Sequence, residues 1–172
     1  MSKAQWLAAV SSVLCATVTA AERFENIYLS FNLPDGWKCK QEETEFVCTP
    51  PSPTGKNYPA MMIMAAKLAG PDDTLAAYKL HLGQIPPATG RGTIVKSPIQ
   101  TDIQGVLWID ATLLGSEVEN YYTRYMATVK GDVAVLFTFS VHKSRYEDFA
   151  GAYTLVTQTL KIKQDAMKQG RR

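Results

Sequence analysis

The stretch VLWIDATLLGSEVENYYTRYMATVKGDVAVLFTFSVH, residues 106–142, decides the fold. It holds three long segments, 106–114, 121–130 and 133–142, rich in Val, Ile, Thr, Tyr and Phe, the residue types that pack on a pleated surface. Gly131-Asp132 makes the turn between the last two. The third segment is apolar on both of its faces: Val133, Val135, Phe137 and Phe139 on one side, Ala134 and Leu136 on the other. A strand apolar on both faces predicts a sheet covered by helices.

Downstream, Ser144-Arg145-Tyr146-Glu147 fits a capping box, in which Ser144 and Glu147 each satisfy an exposed backbone donor. Tyr146, Phe149, Ala150, Tyr153, Val156 and Leu160 then form an apolar stripe at helical spacing. A helix that follows hairpin-connected strands predicts an α+β domain, an antiparallel sheet flanked by helices.

Upstream, residues 93–97 read as one short strand and residues 84–92, QIPPATGRG, as a flexible loop. Before that loop a helix opens at Pro71-Asp72-Asp73-Thr74. Asp72 or Asp73 supplies the cap, Leu75, Tyr78 and Leu82 the buried stripe, and Gly83 the end. His81 lies off that stripe and reads as a surface residue. Residues 60–69, AMMIMAAKLA, read as a strand bounded by Pro59 and Gly70-Pro71. Residues 49–59 are a proline-rich loop, and residues 26–33 form a strand that Pro34-Asp35-Gly36 turns into the segment WKCKQEETEFVC.

That segment alternates like a hairpin. With Glu43-Thr44 at its centre, Cys39 faces Cys48 on a non-hydrogen-bonded pair, where Cα atoms lie about 4.5 Å apart, within disulfide range. A redox pair normally has Cys-x-x-Cys spacing, and a zinc site needs about four ligands, whereas His81 and His142 lie far off in sequence. Cys39 and Cys48 are therefore expected to form a structural disulfide. It would offset a turn that lacks glycine or asparagine by roughly 2.5–3 kcal/mol.

The ends support an oxidising compartment. Lys3 precedes an uncharged apolar run, residues 6–18, and Val18-Thr19-Ala20 or Thr19-Ala20-Ala21 offers the small residues of a cleavage site, the outline of a secretory leader. Leu14 stands before Cys15, where a lipoprotein leader needs a small residue, so acylation is not expected. The expected organisation is a cleaved leader at 1–20, one domain at 21–163 and a basic, solvated tail at 164–172. The formal net charge is only +2, with no long block of like charge, which argues against a nucleic-acid partner. No transmembrane segment is expected in the mature chain.

No nucleophile elbow, phosphate loop or His-Glu-x-x-His motif is present, so no catalytic residue, metal or cofactor is expected. Trp108 and Asp110 lie beside Tyr121, Tyr122, Arg124 and Tyr125 on neighbouring long strands. With the 115–120 loop centred near Val118, Asp110 and Arg124 come close to facing each other. The group reads either as a polar–aromatic groove for a ligand or peptide, or as a cross-strand ion pair with aromatics packed around it; the second is preferred. The loops at 49–59 and 84–92 read either as further binding candidates or as ordinary connections; the second is preferred.

The order of elements carries a resemblance. A strand runs into a Pro-Asp-Gly-Trp corner (FNLPDGWKC), short strands and a capped helix follow (GPDDTLAAYKLHL), and three long strands lead to a C-terminal helix. Over residues 24–160 this resembles the PsbP-like fold, shared by the photosystem II subunit PsbP and DcrB-type bacterial envelope proteins. The resemblance implies an α–β–α sandwich and a non-enzymatic binding or assembly role with a protein partner. It carries over no catalytic signature. The expected function is thus an exported binding module of a bacterial cell envelope. The alternatives are an inhibitor or immunity-type protein, and an enzyme using Asp110, Arg124 or His142 in an unrecognised site.

Overall fold

The computed structural model describes residues 22–52, 55, 58–89 and 92–163. The expected leader at 1–20 and the basic tail at 164–172 lie outside the described residues. Ten strands and two α-helices are present among them: β1 (Arg23–Glu25), β2 (Leu29–Asn32), β3 (Lys38–Glu42), β4 (Glu45–Thr49), β5 (Ala60–Leu68), α1 (Leu75–Thr89), β6 (Thr93–Ile103), β7 (Val106–Leu114), β8 (Tyr121–Lys130), β9 (Val133–His142), α2 (Ala150–Thr159) and β10 (Lys161–Ile162). Seven strands form one antiparallel sheet in the order β3-β4-β5-β9-β8-β7-β6. A small sheet, β1-β2-β10, stands apart from it. The α+β architecture expected from residues 106–142 is the one observed.

The two faces of the large sheet carry different layers. On one, Trp108, Met126, Val135, Phe137 and Phe139 pack with Leu29 and Phe31 of β2 and with Tyr153 and Val156 of α2. On the other, Ile109, Ala111, Leu113 and Tyr125 pack with Leu75, Tyr78 and Leu82 of α1. Burying large apolar side chains on both faces supplies most of the driving force, about 1.5–3 kcal/mol for each fully buried one.

The stapled hairpin has the expected register. Cys39 pairs with Cys48, Gln41 with Phe46 and Glu42 with Glu45, which puts the turn at Glu43-Thr44. The disulfide closes across a Cα–Cα distance of 4.0 Å. Glu43 takes φ 53°, the left-handed region that a glycine would occupy without cost. At the preceding corner the Trp37 amide donates to the Pro34 carbonyl (3.0 Å), and Trp37 is buried against Phe139 and Phe149.

Several expectations are corrected. The strand read at 26–33 is broken, because the Asn26 side chain accepts from the amides of Tyr28 and Leu29 (2.9 Å each) and turns the chain between β1 and β2. The cap of α1 is Thr74, whose Oγ1 accepts from the Ala77 amide (3.1 Å); Asp73 instead accepts from the Gly70 amide and the Tyr78 hydroxyl. Gly83 does not end α1, since it is absent from the residues with positive φ; the helix runs to Thr89 through most of the expected 84–92 loop. β6 extends to Ile103 past Pro98, which an edge strand tolerates, with register shifts on both sides of Lys96. Ser144 and Glu147 form no capping box. Two short 3-10 turns, Lys143–Arg145 and Glu147–Phe149, precede α2, and the His142 side chain caps the first by accepting from the Ser144 amide. Lys161–Ile162 is a strand against β2, and Lys163 Nζ reaches the Asn26 carbonyl (2.6 Å), so an element follows the last helix that the sequence did not suggest.

Candidate functional site

The six residues singled out on the long strands do not line one groove. β7 and β8 pair with Asp110 opposite Met126 and Thr112 opposite Arg124. Alternation therefore sends Trp108, Asp110, Tyr122 and Arg124 to the α2 face, and Tyr121 and Tyr125 to the α1 face. Trp108 is a core residue, and Tyr122 packs edge-on against Tyr146 at 5.4 Å. Tyr121 donates to the Tyr58 carbonyl (2.9 Å) and meets the His142 ring. A one-sided groove cannot gather side chains that a strand points in opposite directions.

Asp110 and Arg124 are diagonal neighbours and do form an ion pair. Arg124 Nε donates to Oδ1 (2.8 Å) and Nη2 to Oδ2 (2.6 Å), while Lys96 Nζ on edge strand β6 donates to Oδ2 (2.7 Å). Asp110 is 0 % exposed, so burial works to raise its carboxyl; the hydrogen bonds and charges of Arg124 and Lys96 outweigh that and hold it below the usual range. The Arg124 guanidinium lies 4.2 Å from the Tyr153 ring centroid. This cluster ties β6, β7, β8 and α2 together.

Trp108 and Tyr122 each line a small pocket on the α2 face, and a larger cleft lies on the other face. α1 packs over β6, β7 and β8, and among the described residues no helix packs on the β9-β5-β4-β3 half of that face. Between the helix and the open half lies a cleft of about 740 Å³, within the range of ligand sites. Its apolar lining includes Ala65 on β5, Ala127 on β8, Ala134 and Leu136 on β9, and Leu82 on α1. Leu136 was expected beneath a helix, yet it is 39 % exposed because α1 stops short of it. Of the three alanines only Ala65 is partly exposed; Ala127 and Ala134 are buried, and Leu136 supplies exposed apolar surface.

Paired polar groups close the two ends. At one, Lys67, Asp73 and Tyr78 line the cleft: Asp73 accepts from Lys67 (2.9 Å) and the Tyr78 hydroxyl (2.7 Å). The Gly70 amide first, then Lys67 and Tyr78, draw the Asp73 carboxyl down to about 2. At the other, the buried Tyr125 donates to Glu117 Oε1 (2.5 Å), and its hydroxyl lies 3.0 Å from Ser116 Oγ. Burial and the Glu117 carboxylate raise Tyr125 well above the usual phenol range, so it stays a neutral donor. His81 and Gln84 of α1 line the outer wall. Of the two expected binding loops, 84–92 enters the cleft only through Gln84, now helical, and 49–59 contributes no lining residue among those described. Sequence reasoning missed Glu117, Ala65, Ala127 and Ala134. The one local signal was the run of small residues on strands that are otherwise bulky.

Among the described residues no group of three or more His, Cys, Asp or Glu side chains is arranged to hold a metal. None of the described helices is long and apolar enough to cross a membrane.

No protein-family model matches the chain, and no curated protein matches it by sequence. Solved structures do match. Cyanobacterial PsbP (CyanoP) of Synechocystis sp. PCC 6803 superposes with a TM-score of 0.62 at 13% identity, over 87% of this chain and 97% of that one. The chain has the PsbP-like fold. Other PsbP-like structures agree. The Saccharomyces cerevisiae Ran-binding protein Mog1p gives 0.54 at 9% identity, over 86% of this chain and 98% of that one. LpqN, involved in cell envelope biogenesis of Mycobacterium tuberculosis, gives 0.55 at 9%, over 85% and 87%. A protein of Bacteroides thetaiotaomicron VPI-5482 gives 0.57 at 16% identity over 84% of this chain; the chain spans only 49% of that longer protein. The PsbP-like sandwich thus persists where sequence likeness has almost vanished.

Proposed function

We propose that this chain is an exported, non-enzymatic binding or assembly module of a bacterial cell envelope, acting through protein–protein contacts. The observation that carries the reading is the open, apolar half-face beside α1, with Leu136 exposed at its border with the helix and charged side chains around it. An apolar centre inside a polar rim is the anatomy of a protein interface. The Cys39–Cys48 disulfide supports export, because such bonds persist in oxidising compartments. The leader-like residues 1–20 support it from the sequence. Fold likeness to LpqN and to the Ran-binding protein Mog1p supports a binding role by analogy.

The test compares two baits, the oxidised chain lacking residues 1–20 and its Leu136→Arg variant, on an envelope fraction of the source cells. At least one protein is expected at near-stoichiometric yield on the first bait, displaced by excess soluble chain and lost on the second. Equal retention by both baits, or no specific retention, overturns the reading.

A further inference from the structure

The charge around the cleft is one-sided. Glu45 lies directly across the strand pair from Ala65, on the same face, and Glu43 and Thr44 form the adjoining hairpin tip, with Thr44 in the cleft wall. Asp73 and Glu117 stand at the two ends. Two cations answer these acids. Lys67 is engaged by Asp73, and Lys40 by Glu42, a further acid of the same hairpin. Among the described residues Glu43, Glu45 and Glu117 make no salt bridge. Glu117 accepts the Tyr125 hydroxyl through Oε1, which fixes the carboxylate at the mouth of the cleft.

We propose that the cleft receives a basic, apolar polypeptide segment, in which a bulky apolar side chain packs on Ala65 and Leu136 and flanking Lys or Arg side chains meet Glu45 and Glu117. The inference rests on the binding-module reading above and names the chemistry of the partner. The floor selects for size and apolarity, since a large side chain can lie over the partly exposed Ala65 and the exposed Leu136. The rim selects for charge: an acidic segment meets like charge at Glu45 and Glu117, whereas a basic one meets two carboxylates that no other cation engages among the described residues. Each rim pair is partly solvated and is worth roughly 1.5- to 5-fold in affinity, so two of them set preference while the apolar anchor sets most of the binding.

The probes are two capped heptapeptides, Lys-Lys-Leu-Trp-Leu-Lys-Lys and Glu-Glu-Leu-Trp-Leu-Glu-Glu, and a basic control in which Gly-Gly-Gly replaces the apolar core. Binding to the oxidised chain is measured by calorimetry at low and physiological salt. The basic apolar peptide is expected to bind at least tenfold tighter than either other peptide. The double variant Glu45→Gln/Glu117→Gln should weaken it by about 2- to 25-fold and flatten its salt dependence. Ala65→Trp should abolish binding by filling the cleft, and Leu136→Arg gives a second, surface-only block if the tryptophan variant melts early. Equal binding of the acidic peptide, full binding of the glycine-core peptide, or insensitivity to the glutamate variants overturns the inference. A partner retained in a Leu136-dependent way while the basic peptide fails to bind defeats this inference alone. Basic-peptide binding without any retained envelope partner defeats the module reading alone.

Discussion

Asp110 sits within a sheet whose neighbours are apolar, and its charge is tolerated only because three donors from two cations reach it. Replacing Arg124 by Met should destabilise the protein by about 3–5 kcal/mol in urea unfolding, because Lys96 alone cannot satisfy a fully buried carboxylate. Adding Asp110→Leu to that variant should recover much of the loss; a double variant as unstable as the single one would mean that packing, not charge, dominates. Asp73 makes a different prediction. Its carboxyl is drawn from an ordinary 3.8 down to about 2, so its contribution is complete above pH 4 and is lost as pH falls from about 4 to about 2. Melting temperature should therefore fall across that window, with a shallower slope in Asp73→Asn, and an unchanged slope would show that the Gly70–Lys67–Tyr78 cluster adds nothing to folding.

At the scale of elements, the β3–β4 hairpin shows a covalent bond compensating for poor turn chemistry. Glu43 holds a left-handed conformation that favours glycine or asparagine, and no such residue stands at the tip. Cys39→Ala/Cys48→Ala should cost roughly 2.5–3 kcal/mol of stability in chemical denaturation, the chain entropy of a loop this short. Hydrogen exchange in the variant should rise first at Glu42–Glu45. Exchange rising uniformly across the molecule would instead mean that the hairpin opens only with the whole domain. Helix α1 shows the limit of local signals. Gly83 would end a helix in isolation, but Leu82 is buried against Ile109 and Leu113, and that burial holds the next turn in place.

Over the whole molecule, coverage of the sheet is unequal. The α2 face is closed by α2 and the β1-β2-β10 sheet, while α1 covers only the β6-β7-β8 side of the other face. Leu136 stands at the boundary, so Leu136→Arg should leave the melting temperature within about 0.5 kcal/mol equivalent of the parent. A large loss of stability would mean that the open half-face is core in solution, covered by another chain at all times. Stability kept with partner binding lost is the signature expected of an interaction surface.

The sequence by itself determined what depends on near neighbours: the long strands, the turn at Gly131-Asp132, the Cys39–Cys48 register and the α+β class, since alternation and turn chemistry act over a few residues. It also brought Asp110 and Arg124 together, because one short loop sets their register. It could not place Lys96 on that pair, because two register shifts in β6 intervene. It mistook the extents of β6 and α1, because Pro98 and Gly83 are local stop signals that an edge position and tertiary burial override. The proposed groove fails on a rule the sequence already held, because alternation along β8 sends Tyr121 and Tyr125 to the face opposite Tyr122 and Arg124. The cleft belongs wholly to the tertiary structure. No short stretch encodes it; it exists because a helix from one part of the chain covers half of a face built from strands elsewhere.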